Sequence, residues 1–124
     1  MQLTEHRYEQ QLFVRKADTD HVVVIDREFR TSLLLGTTEA ADDFPARTVG
    51  ELDAAAIAKI LALQPEVVLL GTGARVTFPS QAVLGEFLRR GIGLEAMDNA
   101  AAARTFNVLA GEGRKVVAVF LLPG

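Results

Sequence analysis

"VVLLGTGARVTFPS", residues 67–80, runs four apolar side chains into a Gly-Thr-Gly turn and continues to Phe78 and Pro79. Residues 67–70 do not alternate with polar ones, so they read as a strand buried on both faces. Such a strand needs a covering layer on each side, and the flanking segments supply helices. Upstream, "ELDAAAIAKILALQ" (51–64) is rich in strong helix formers, with Ala56, Ile57, Ile60, Leu61 and Leu63 as its apolar stripe and Pro65 as its end. Downstream, residues 80–90 form a second helix that buries Val83, Leu84, Phe87 and Leu88 and stops at Gly91. "IGLEAM" (92–97) is a short strand, and Asp98 is placed to cap a third helix over 99–110, closed by Gly111. "KVVAVFLLP" (115–123) is the last strand. Residues 67–70 and 92–96 are expected as neighbouring parallel strands, joined by a right-handed crossover.

The first third reads as β. "QQLFVRK" and "HVVVIDREF" are β-branched and aromatic, with Ala17-Asp18-Thr19-Asp20 as the turn between them. "TSLLLGT" is a third strand ending in Gly36, and "EAADDFPART" (39–48) reads as an acidic loop interrupted by Pro45. The order is β-β-β-α-β-α-β-α-β. It implies an α/β fold: one three-layer domain over residues 1–124, with a central mixed sheet between helices. The leading β segment forms either an extra edge or a small second layer.

Composition excludes several functions. The 124 residues contain no cysteine, so disulfides, thiolate nucleophiles and cysteine-ligated metals are ruled out. Thirteen Lys and Arg against 16 Asp and Glu give a net charge of −3, and Arg89-Arg90 and Arg114-Lys115 are isolated pairs. Without a basic patch, nucleic acid is not an expected partner. "MQLTEHRYEQ" lacks the apolar core of a secretory signal and the Arg-rich, acid-poor character of a transit peptide. No apolar run approaches the ~18 residues of a membrane span. The expected location is the cytoplasm.

The Gly-Thr-Gly turn invites a nucleotide reading, which fails on spacing. A dinucleotide fingerprint needs a third glycine where this chain has Val76, and the helix is delayed to about Ser80; Glu95 matches the ribose-binding acid only loosely. A phosphate loop needs Gly-Lys-Ser/Thr where the chain offers Val76-Thr77-Phe78. Two readings stay open: glycines that let the chain leave a buried strand, or a turn whose backbone N–H groups hold an anion at the carboxyl end of the sheet. His6 and His21 have no metal-ligand spacing and read as solvated, and Ser32 and Ser80 lack a nucleophile elbow. Glu39, Asp42, Asp43, Glu51 and Asp53 lack calcium-loop spacing. On the third helix, Ala102, Phe106 and Leu109 share one face, with Arg104 and Asn107 roughly opposite, either in solvent or walling a groove.

"VVLLGTGARVTFP" (67–79) and "GIGLEAMDNAAAARTFNVLAGEGRKVVAVFLLP" (91–123) resemble the small α/β proteins related to mitochondrial complex I assembly factor 3. The resemblance implies a three-layer fold around a mixed sheet and no established reaction; with no cofactor fingerprint in the residues, no cofactor is expected. For the mitochondrial relatives it implies a protein-binding role in assembling the respiratory NADH dehydrogenase. The family's recurring polar positions match Gly71, Thr72, Gly73, Asp98, Arg104, Thr105, Asn107 and Arg114, and this chain looks like a bacterial member. Two functions are therefore expected: a non-catalytic protein-binding or assembly protein, or a binding protein or enzyme for a small anionic ligand, with its site at the Gly71-Thr72-Gly73 turn, Arg104 and Asn107.

Overall fold

The computed structural model describes residues 4–7 and 10–124. The expected parallel pairing of residues 67–70 with 92–96 is present, at one side of a larger sheet. In chain order the main sheet uses β1 (Thr4–Arg7), β5 (Thr31–Leu35), β6 (Glu39–Asp42), β7 (Val67–Gly71), β8 (Gly93–Met97) and β9 (Val116–Pro123). These make a mixed six-stranded sheet in the order β1-β6-β5-β9-β7-β8. β7 is parallel to both neighbours, with Leu69 opposite Glu95 on β8 and Ala118 on β9. β9 is antiparallel to β5 on its other side.

The strands alternate cleanly between two cores. Leu33, Leu35, Leu69, Ala118 and Phe120 enter one, and Leu34, Val68, Leu70, Val117 and Val119 enter the other. The second core is closed by α1 (Ala54–Leu61), through Ala56, Ile57 and Ile60, and by α2 (Gln81–Leu88), through Phe87. The first is closed by α3 (Asn99–Gly111), through Ala102, Phe106 and Ala110, together with a separate antiparallel sheet. That small sheet is β2 (Val14–Ala17), β3 (Val22–Val24) and β4 (Arg27–Phe29), in that order. The leading β segment is thus a second layer. The crossovers β7-α2-β8 and β8-α3-β9 run in opposite directions along the sheet, which puts right-handed connections on opposite faces.

Each α-helix starts on a side-chain cap. Asp53 accepts from the Ala56 N–H, Ser80 from the Val83 N–H, and Asp98 from the Ala101 N–H. These caps satisfy amides that have no partner inside the helix. Gly91 and Gly113 turn the chain away beyond α2 and α3 at φ 71° and 78°.

Five expectations need correction. Leu88, expected on the buried face of α2, is 68% exposed, and α2 closes the core through Phe87. Residues 39–42 are a strand, β6, because Ala40 and Ala41 each fill one core; pairing with β5 overrides alanine's weak β preference. "HVVVIDREF" is broken into a hairpin at Ile25 and Asp26, with Ile25 at φ 55°, a conformation that β-branched residues rarely adopt. The opening segment, to which the sequence assigned no element, contributes β1, paired with β6. Finally, α1 is shorter than 51–64, since Val49–Glu51 form a separate 3-10 turn before the Asp53 cap.

Candidate functional site

Parallel strands β7, β8 and β9 end together, and the residues just beyond them meet at one end of the sheet. A Cβ on Gly71 would lie 2.5 Å from Asn99 Oδ1 and 3.3 Å from both Ala102 Cβ and Phe120 Cδ1, so no larger residue fits. Gly73 adopts φ 94°, which favours glycine for backbone reasons alone. The two glycines are needed for different causes: crowding at one, left-handed backbone at the other.

Asn99 explains the crowding. It is 1% exposed, and its amide joins three segments. Oδ1 accepts the Gly73 N–H at 3.1 Å, while Nδ2 donates to the carbonyls of Asp18 at 3.0 Å and Leu121 at 3.4 Å. The Asn99 N–H itself donates to the Gly73 carbonyl. Thr72 braces the following loop: its N–H donates to the Met97 carbonyl, and its hydroxyl donates to Arg75 O and accepts the Thr77 N–H. The amides of Thr72 and Gly73 are thereby engaged within the protein. On the loop they hold, Val76 and Phe78 are 46% and 76% exposed.

The eight expected positions separate into distinct places. Gly71, Thr72, Gly73 and Asp98 come together, and Asp98 caps α3 beside the turn. Arg104 does not join them. It lies about 200° around the helix from Ala102, whose side chain is against Gly71, and it is exposed. Asn107 forms no groove wall with Arg104. Its Oδ1 accepts the Val14 N–H at 2.8 Å and its Nδ2 donates to the Val14 carbonyl at 2.9 Å, fixing β2 to α3. Thr105 is half-buried on the flank of α3. Arg114 sits at the opposite end of the sheet, its Nε 3.1 Å from Glu66 Oε1.

At the carboxyl end, besides Arg75 of the 72–80 loop, stands Arg47. It lines a cleft of about 490 Å³ with Thr19, Thr48, Glu51, Thr72 and Gly73, against a wall of Leu121 and Pro123. Glu51 Oε1 accepts the N–H groups of Arg47 at 2.8 Å and Thr48 at 3.2 Å, and these bonds hold its carboxyl below the usual range. A Thr-x-x-Glu spacing signals this arrangement in sequence. Asn99 also left a sequence signal, because it lies in phase with the apolar positions Ala102 and Phe106.

In the β2–β3 turn, His21 Nδ1 is 2.9 Å from Asp20 Oδ1, a bond that lowers the Asp20 carboxyl. The His21 side chain is half-buried instead of solvated. Asp18, Asp20 and His21 place one ligating atom each within 4.8 Å of one another, but Lys16 Nζ is 3.8 Å from Asp18 Oδ2 and shares that charge.

A family model described as "Protein of unknown function (DUF498/DUF598)" matches residues 14–121. The chain belongs to this family. DUF498 includes complex I assembly factor 3: NADH dehydrogenase (ubiquinone) 1 alpha subcomplex assembly factor 3 of Danio rerio is 42% identical over 64 residues, which span 52% of this chain and 37% of that protein. A "13 kDa major membrane protein" of Francisella tularensis is 24% identical over 98% of this chain and 99% of its own length. An NMR structure of a Xanthomonas campestris protein is 46% identical, with a TM-score of 0.85, covering 94% of this chain and 88% of that one. Among the described residues no helix is long and apolar enough to cross a membrane.

Proposed function

We propose that this DUF498 protein is a non-catalytic protein-binding module, acting as an assembly factor, with the 72–80 loop as its contact point. One observation carries the reading: the loop is fixed by Thr72, Gly73 and Asn99, yet it displays Phe78 at 76% exposure. A rigid loop holding out an aromatic ring loses little entropy on binding, and aromatic side chains are enriched among residues that dominate interfaces. The similarity to the Danio rerio assembly factor supports the same reading and favours a respiratory NADH dehydrogenase subunit as partner.

The test is affinity capture from the native organism with wild type and Phe78→Ala. Phe78 is exposed, so the variant should keep its stability. Expected is a stoichiometric protein recovered with wild type and reduced at least tenfold with the variant. Equal recovery with both proteins, or a retained small molecule without a protein, overturns the reading. The proposal includes a cytoplasmic location, and cell fractionation separates it from the membrane location in the Francisella tularensis protein's name.

A further inference from the structure

The cleft beside the Gly-Thr-Gly turn contains two opposite charges, Arg47 and Glu51, close enough for the arginine to help lower the Glu51 carboxyl but not in direct contact. Among the described residues, Arg47 and Glu51 form no ion pair with each other or with a third group. Glu51 is held in place by its Oε1, which accepts the two amides, and the Thr48 hydroxyl lies beside the same carboxyl. The guanidinium of Arg47 offers a planar fork suited to a carboxylate. Thr19 and Thr48 add hydroxyls at the rim, and Leu121 and Pro123 add an apolar wall.

We propose that this cleft binds a small zwitterion of the amino-acid class. The ligand's carboxylate meets Arg47, its ammonium meets Glu51 Oε2, and a short apolar side chain lies against Leu121 and Pro123. A simple anion is disfavoured by the fixed negative charge of Glu51, and a simple amine by Arg47. About 490 Å³ is within the size range of small-molecule sites and accommodates such a ligand with its side chain. Neither the Phe78 loop contact nor its partner enters this inference, so the two proposals stand or fall separately.

The experiment is an NMR titration of the full ¹⁵N-labelled chain with L-alanine and L-leucine, with propionate and ethylamine as one-charge controls. Expected are saturable amide shifts confined to residues 47–51, 72–73 and 121–123 for the amino acids, and none for either control at equal concentration. Arg47→Ala should weaken binding by at least about tenfold, the loss expected when a charge-assisted hydrogen bond is removed. Glu51→Gln retains an oxygen for the two amides and removes only the charge. It should weaken amino-acid binding by a similar factor while admitting propionate. Propionate binding as well as alanine in wild type, Glu51→Gln binding alanine unchanged, or no localised shifts with either amino acid, each overturns the proposal.

Discussion

The two ends of the parallel strands are closed by opposite means. At the amino end, exposed charges do it: Glu66 Oε1 takes the Lys115 N–H at 2.8 Å and Arg114 Nε at 3.1 Å, between residues already adjacent through the Glu66 N–H and the Lys115 carbonyl. At the carboxyl end, a neutral and buried amide, Asn99, ties the β7 turn to the β2–β3 turn and to β9. An exposed ion pair is screened by salt and titrates with acid. A buried amide does neither, and loses heavily if one partner is removed. The turn that carries the exposed loop is therefore held by bonds that neither salt nor acid weakens directly.

The contrast breaks first at Gly71. Gly71→Val should destabilise by about 2–3 kcal/mol, the upper range for overpacking, because its Cβ displaces the Asn99 amide. Chemical denaturation measures this. Asn99→Ala should cost about 2 kcal/mol by leaving the Gly73 N–H and the Asp18 carbonyl without their partner, and the loss should be the same in low and high salt. In Gly71→Ala/Asn99→Ala the loss should fall short of the sum of the single losses, since the second change removes the atom the first one meets. Strict additivity would show that the two positions do not touch.

At the amino end the effect is smaller and has a pH signature. The Lys115 amide, then Arg114, lowers the Glu66 carboxyl below its ordinary 4.5. A depressed folded value means that the stabilisation is complete above about pH 4.5 and disappears as pH falls through the folded value. Melting curves of wild type and Glu66→Gln should differ at neutral pH in low salt, and converge in acid or in high salt. The smallest effect is expected beside it: Gln64 is exposed at φ 52°, so Gln64→Gly should raise stability by about 0.5 kcal/mol by relieving the left-handed backbone. A lower melting temperature in Gln64→Gly would refute this.

What the sequence disclosed follows from where its signals are local. β7, β9 and the three capped helices were legible because apolar runs, Asp98, Ser80 and Pro65 act within a few residues. β6 was hidden because two alanines between acids show strand character only once paired with β5. The hairpin at Ile25 was hidden because nothing in a β-branched run announces a positive φ. The glycine turn was recognised, but its cause lay at Asn99, 26 residues beyond Gly73. Arg104 was placed at the turn on helical phase together with the family resemblance, and helical phase fixes angles around an axis but not which neighbour each angle faces. Arg47, in a segment read as an irregular loop, occupies that end of the sheet instead.

The position of β9 has a consequence for how the molecule comes into being. It is the strand that joins β1, β6 and β5 to β7 and β8, and it is the last of the elements in chain order. Its union with β5 links residues about 90 apart, as at Ser32, whose hydroxyl exchanges hydrogen bonds with the N–H and carbonyl of Leu122. Closing so large a loop is slow compared with local helix formation. During synthesis from the amino end, the facing edges of β5 and β7, all leucine and valine at their centres, have no mate until residues 116–123 leave the ribosome. The nascent chain carries two half-sheets in search of a keystone, and that interval is when it is most exposed to aggregation and most in need of a chaperone.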